Sequence, residues 1–351
     1  MVTLKQLGYD EFFSSQITGE NIKVGRITLE HKHIYRLLSE EGEWLANLSG
    51  KFRYEATLKE DYPSVGDWVI YSPIENESKA VIHKVLNRKS RFIRQGAGTK
   101  VEQQIVAANV DYVFIVSSLN RDFNVRRIER YVLLTYESGA SPVIVLTKKD
   151  LCDDLDEKMR EVQTVAIGVP VVVVNNLLQE GYEDLAPFMS EGKTIALLGS
   201  SGVGKSSLLN GLMNEDVQKT SSTRETDDKG RHTTTHRELF MLPNGAVIID
   251  TPGMRELQIW DGTDSLDSTF SDIEELAKQC RFNDCQHQSE PGCAVKEAIE
   301  QGVLSEDRLK SYEKLQREIQ YSLRKQDKMK ALMEKKKWKK IHKDMRNKYK
   351  K

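Results

Sequence analysis

The strongest constraint on this chain is Gly199-Ser-Ser-Gly-Val-Gly-Lys205-Ser206. It has the form G-x-x-x-x-G-K-[ST], follows the apolar run Thr194–Leu198 directly, and precedes SLLNGLM, a stretch that reads as a helix. A loop of this kind needs that setting. Its glycines let backbone N–H groups curl around phosphate oxygens, and the helix N-terminus behind them adds positive potential. The expected phosphate contacts are Gly199, Ser200, Ser201, Gly202, Val203, Gly204, Lys205, Ser206 and Ser207. Lys205 reaches the β- and γ-phosphates and Ser206 ligates Mg²⁺.

Two further motifs end apolar runs. Asp250-Thr-Pro-Gly253 has the form D-x-x-G. Its carboxylate is expected to hold Mg²⁺ through water, with the Gly253 N–H on the γ-phosphate. Thr147-Lys148-Lys149-Asp150 has the form [NT]-K-x-D. A carboxylate there accepts two hydrogen bonds from guanine N1–H and N2–H₂, a donor pair that adenine lacks. The Lys148 stem lies along the base, and Thr147 ties this loop to the phosphate loop.

Other apolar runs, YVFIV at 112–116, PVIVL at 142–146 and PVVVV at 170–174, alternate with helix-compatible stretches such as Val125–Tyr136. That is β–α repetition around a mostly parallel sheet. The order of the motifs is unusual. The guanine motif comes first, the phosphate loop second and D-x-x-G last, so the pieces are complete but rotated in sequence. A parallel sheet tolerates such rotation, because chain termini often lie close together at the surface.

The flanks read differently. Between Gly25 and Arg94, short alternating segments broken by turns predict a small β-barrel of OB type. Phe52, Arg53, Tyr54, Trp68, Arg88, Arg91 and Arg94 are its candidate RNA contacts. Cys280-x₄-Cys285-x-His287-x₅-Cys293 offers three thiolates and an imidazole, a full ligand set for one structural zinc. Cys152 stands alone and reads as a plain thiol. A helix begins after Ser305, with Leu309, Tyr312, Leu315, Ile319 and Leu323 on one face.

Net charge is −1, which excludes a uniformly basic protein, yet the last 27 residues carry 13 Lys/Arg against three acids. Such a tail neutralises phosphates without reading sequence. No apolar run approaches the length of a membrane span, and the first residues show no secretory pattern, so a cytoplasmic protein without a membrane partner is expected. The expected domains are a leader (1–20), an OB-type barrel (21–97), a permuted α/β P-loop GTPase (98–258), a mostly helical zinc-binding domain (259–324) and the basic tail (325–351).

The guanine-first order, GSSGVGKSS, Gly230-Arg-His-Thr-Thr-Thr235, DTPG and the downstream cysteines resemble the circularly permuted, small-subunit-dependent GTPases of the RsgA (YjeQ/YloQ) family over roughly residues 20–325. Thr147 stands where that family usually has Asn, and Asn175-Asn176 where Ser-Ala is more typical. The resemblance implies a role in late 30S maturation, with 16S rRNA as partner and GTP hydrolysis stimulated by the subunit. The segment 230–235 falls where the first switch belongs. One of Thr233, Thr234 and Thr235 ligates Mg²⁺ there, and Thr234 is the candidate. Met254 follows D-x-x-G where many GTPases carry a water-orienting Gln, so slow intrinsic hydrolysis is expected, with His232 the alternative group to orient water. Lys205, His232, Thr234 and Asp250 are the catalytic candidates in a monomer. The alternatives are a permuted GTPase acting on the large subunit and an RNA-binding adaptor that senses GTP without turnover.

Overall fold

The computed structural model describes residues 2–31, 34–95, 103–214, 237–250 and 263–324. The chain divides into two compact units, Met1–Gln258 and Ile259–Lys351.

The first unit starts with a packed segment. Helix α1 (Glu11–Ser14) begins at Asp10, whose carboxylate accepts from the Phe12 N–H at 3.1 Å. Leu7 and Phe13 are buried against Trp68 and Leu86. A barrel follows, made of β1 (Lys23–His31), β2 (Ile34–Ser39), β3 (Gly42–Leu48) and, after α2 (Gly50–Glu55), β4 (Trp68–Pro73) and β5 (Lys79–Val85). β1 pairs antiparallel with β2 and with β4, β2 with β3, and β5 with β4; β3 and β5 run parallel and close the ring. Alternation puts Tyr35 and Leu37 inside with Ile27, Ala46, Val69 and Ile82. This is the small β-barrel expected from the sequence, and it has five strands. Two of its candidate RNA contacts need correction, because Phe52 and Trp68 belong to the core. Arg88 is committed too, donating to both carboxylate oxygens of Asp67 at 2.7 Å. Arg53, Tyr54 and Arg91 are exposed, and the Arg94 side chain lies outside the described part.

An antiparallel ribbon, β6 (Arg91–Gln95) with β7 (Gln103–Ala108), leads to the α/β sheet. Its elements are β8 (Tyr112–Ser118), α3 (Val125–Ser138), β9 (Ser141–Thr147), α4 (Leu155–Val165), β10 (Val171–Val173), β11 (Thr194–Leu198), α5 (Lys205–Met213), β12 (Glu238–Met241) and β13 (Val247–Asp250). The strand order is β10-β9-β8-β11-β13-β12, parallel except for β12. The parallel strands are apolar runs because helices and loops cover both faces, as the near-continuous burial of β9 and β11 shows. Their carboxyl ends therefore share one edge.

The sheet continues into the barrel, where Leu29 of β1 registers with Glu238 of β12. Arg36 Nη1 lies 3.3 Å from the Glu238 carboxylate across this seam. Arg26 is buried and joins three segments at once, donating to the Leu7, Gly66 and Asn109 carbonyls. Burial pushes its pKa down to about 10, so it still carries its charge at neutral pH.

The second unit contains α6 (Thr263–Thr269), α7 (Ser271–Ala277), α8 (Ala294–Glu300) and α9 (306–324). Ser305 caps α9, its hydroxyl accepting from the Arg308 N–H at 3.2 Å. Of the stripe expected there, Leu309, Tyr312, Leu315 and Ile319 are buried and Leu323 is half-buried. Phe270 packs edge-on to Tyr312, and the Arg308 guanidinium lies over Phe270 while forking onto Asp272 at 2.7 and 2.8 Å.

Candidate functional site

The phosphate loop springs from β11 and enters α5. Gly204 has φ +97°, in the left-handed region that favours glycine. A Cβ there would lie 2.8 Å from Asn176 Nδ2, and one on Gly199 would lie 2.3 Å from the Val116 carbonyl oxygen. The loop thus sits tightly on the ends of its neighbours. Lys205 curls over it and donates to the Gly199 and Ser200 carbonyls at 2.8 and 2.6 Å. Ser201 and Gly202 are exposed, Val203 is buried, and Ser206 and Ser207 are half-buried in the first turn of α5.

The guanine-motif candidate sits at the end of β9. Thr147 is fully buried and donates through Oγ1 to the Val203 carbonyl at 2.6 Å. Lys148 takes φ +59° and turns the chain into the 3-10 turn Lys149–Leu151, which leaves Lys149 and Asp150 exposed. Asn176, just past β10, donates through Nδ2 to the Gly204 carbonyl at 3.1 Å. Asp250 ends β13, the parallel neighbour of β11. The ends of β9, β10, β11 and β13 therefore meet along one edge, and those of β9 and β10 are hydrogen-bonded to the phosphate loop that follows β11. His232, Thr234, Gly253 and Met254 lie outside the described residues.

Sequence reasoning missed the support behind the loop. Asp122, in the turn after β8, accepts from Ser200 Oγ at 2.8 Å and from Arg127 Nη1 at 2.7 Å, and Arg127 also reaches Ser200 Oγ at 2.9 Å. Partial burial raises the Asp122 pKa, but the hydrogen bonds from Arg127 and Ser200 outweigh it and hold the carboxyl below its ordinary value. The one available signal was a polar run, Asn120–Asn124, at a strand end.

In the second unit the ligand atoms of Cys280, Cys285, His287 and Cys293 all lie within 4.8 Å of one another. Cys280 Sγ is 3.9 Å from Cys293 Sγ and 3.7 Å from His287 Nδ1, which is 3.4 Å from Cys293 Sγ. A tetrahedron with metal–sulfur bonds of about 2.3 Å has edges of about 3.8 Å, so the cluster fits one metal ion. Burial lowers the His287 pKa and favours the neutral ring that a metal requires. His287 takes φ +59°, an uncommon conformation for a non-glycine residue. The loop carrying it is tied by Glu290, whose carboxylate accepts from the Gln286, Gln288 and Ser289 N–H groups at 2.8–3.0 Å. Its own backbone N–H, with those of Gln286, Gln288 and Ser289, pushes the Glu290 pKa down to about 2.

Comparison with known proteins gives a consistent result. A family model described as RsgA GTPase matches residues 85–260, and one described as 50S ribosome-binding GTPase matches 194–335. The small ribosomal subunit biogenesis GTPase RsgA 1 of Oceanobacillus iheyensis is 49% identical, over 96% of this chain and 94% of that protein. RsgA of Opitutus terrae, with the same description, is 45% identical over 98% and 97%. Among solved structures, YjeQ from Thermotoga maritima matches with a TM-score of 0.63 at 31% identity, covering 85% of this chain and 98% of that one. YloQ, described as a circularly permuted GTPase, matches with a TM-score of 0.61 at 27% identity, over 86% and 96%.

Proposed function

The chain belongs to the RsgA GTPase family, and from that premise we propose that it is a GTP hydrolase of late small-subunit maturation, stimulated by the 30S particle. The observation that carries the catalytic half is the bond from Thr147 Oγ1 to the Val203 carbonyl. It fixes the base-reading strand end to the phosphate cradle, so one nucleotide can be held at both ends.

In this reading Asp150 selects guanine and the Lys148 stem covers the base. The backbone N–H groups of the loop from Gly199 to Ser207 and the Lys205 ammonium hold the phosphates. Ser206 and Thr234 would hold the Mg²⁺ that arrives with GTP, with Asp250 acting through water. When bound, the ion would neutralise charge on the phosphates. Gly253 would sense the γ-phosphate and His232 would orient water. Cys280, Cys285, His287 and Cys293 would hold a structural zinc, which staples a loop-rich segment and takes no part in hydrolysis.

The partner is read from the relatives. The matches that span barrel, GTPase core and metal cluster carry the small-subunit description. The model named for the 50S particle covers only 194–335, which omits the guanine motif and the barrel. The 16S rRNA, a monomeric state and a cytoplasmic location complete the proposal. Among the described residues no helix is long and apolar enough to cross a membrane. Co-sedimentation with 30S, 50S and 70S particles, in GDP and in a non-hydrolysable GTP analogue, tests it. Pelleting with 30S in the GTP-like state is expected; pelleting with 50S alone would move the activity to the large subunit.

A further inference from the structure

Thr147 ends β9 and Asn176 follows the neighbouring strand β10, and the structure brings both onto one stretch of phosphate loop. Thr147 donates to the Val203 carbonyl and Asn176 to the next one, Gly204. A threonine hydroxyl has one hydrogen to give, whereas an asparagine amide has two. The geometry points to Asn176 as a positioning residue that replaces, from the adjacent strand end, the amide donor missing at 147, and so sets how tightly nucleotide is held. The inference rests on Thr147–Asp150 being the guanine motif.

The surroundings are shaped for this amide. Tyr182 Oη donates to Asn176 Oδ1 at 3.2 Å, which turns Nδ2 toward the loop. Burial pushes the Tyr182 pKa up to about 12, so the phenol stays a donor throughout the neutral range. Gly211 of α5 makes room for that ring, since a Cβ there would lie 2.5–2.9 Å from Tyr182 Oη, Cε2 and Cζ. Asn175 closes the same turn, its N–H donating to the Glu180 carbonyl at 3.0 Å and its side chain accepting from the Leu177 N–H at 3.0 Å. A chain of contacts therefore runs from α5 through Tyr182 and Asn176 back to the loop that opens α5.

The test is a double-mutant cycle on the full chain, with release of fluorescent GDP and GTP analogues followed by stopped flow. Asn176→Ala is expected to speed GDP release about 10-fold, the worth of one lost hydrogen bond with its acceptor left unpaired. In a Thr147→Asn background the same change is expected to cost no more than about 3-fold, because an amide at 147 takes over the donor role. Tyr182→Phe keeps the ring and removes the orienting hydroxyl, and is expected to speed release about 3-fold. Should Asn176→Ala not fold, Asn176→Asp has the same size, keeps the acceptor for Tyr182 and removes the donor, and it replaces Ala in the cycle. An equal cost in both backgrounds, or no cost in the native one, overturns the inference. An Asp150→Asn variant separates this failure from that of the guanine reading. It should lose guanine nucleotides and gain xanthine ones, and unchanged GDP affinity would sink the guanine motif whatever Asn176 does.

Discussion

Asp67 is fully buried and its carboxylate is met by the Arg88 fork and by the Ser64 N–H at 2.8 Å. Removing one partner leaves the other charge unpaired in the barrel wall, which costs about 3 kcal/mol. Asp67→Ala is expected to lower the urea midpoint accordingly, and an unchanged midpoint would show the pair to be dispensable. Asp122 carries a pH signature. Its carboxyl titrates lower in the folded chain than unfolded, so its contribution to stability is complete above the ordinary carboxylate value of about 4 and is lost as pH falls through the lower folded value. The gap in urea stability between native protein and Asp122→Asn should be widest near neutrality and close below about pH 4. His232→Ala is expected to reduce subunit-stimulated turnover with GTP affinity kept; full turnover would remove the water-orienting role. The tie made by Thr147 was legible because the motif carries its own geometry. The roles of Asn176, Tyr182 and Asp122 were not, because no motif assigns them and only the fold brings Asn176 and Asp122 to the phosphate loop and Tyr182 to the Asn176 amide.

At the scale of elements, the parallel strands were the most legible part. Runs apolar on both faces occur only where both faces are covered, and Thr194–Leu198 has the same bounds in sequence and structure. The barrel strands were readable by alternation, although alternation does not say that β3 and β5 close the ring in parallel. The leader was opaque, since Leu7 and Phe13 form no periodic pattern and are buried by tertiary packing against Trp68 and Leu86. In the Cys/His loop the four side chains that cluster were legible from spacing, but Glu290 was not. Its carboxylate holds three backbone N–H groups between the ligands. Glu290→Ala should leave all four ligands in place yet release zinc to a chelator about 10-fold faster, as loss of supporting contacts around a metal site does. Release at the native rate would show that the ligands alone hold the loop.

For the whole molecule, the rotated motif order implied convergence at one edge, and the strand ends meet there. The order did not announce that β12 would pair with β1, so that barrel and GTPase sheet form one continuous structure. Ion pairs cross that seam, Arg36 with Glu238 and Arg237 with Glu30, and no local pattern encodes either pairing. The tail adds a separate prediction. It holds 13 Lys/Arg, so removing 325–351 should flatten the salt dependence of small-subunit binding by several units of slope; an unchanged slope would mean that the tail does not touch rRNA. A guanine-first G-protein core switched on by the small subunit is tested most directly by GTP turnover of the purified chain alone and with 30S, 50S or 70S particles. Slow hydrolysis alone and at least about a 10-fold rise with 30S are expected, well within what an ordering partner supplies. Hydrolysis at one rate in all four samples, or stimulation by 50S alone, would contradict it.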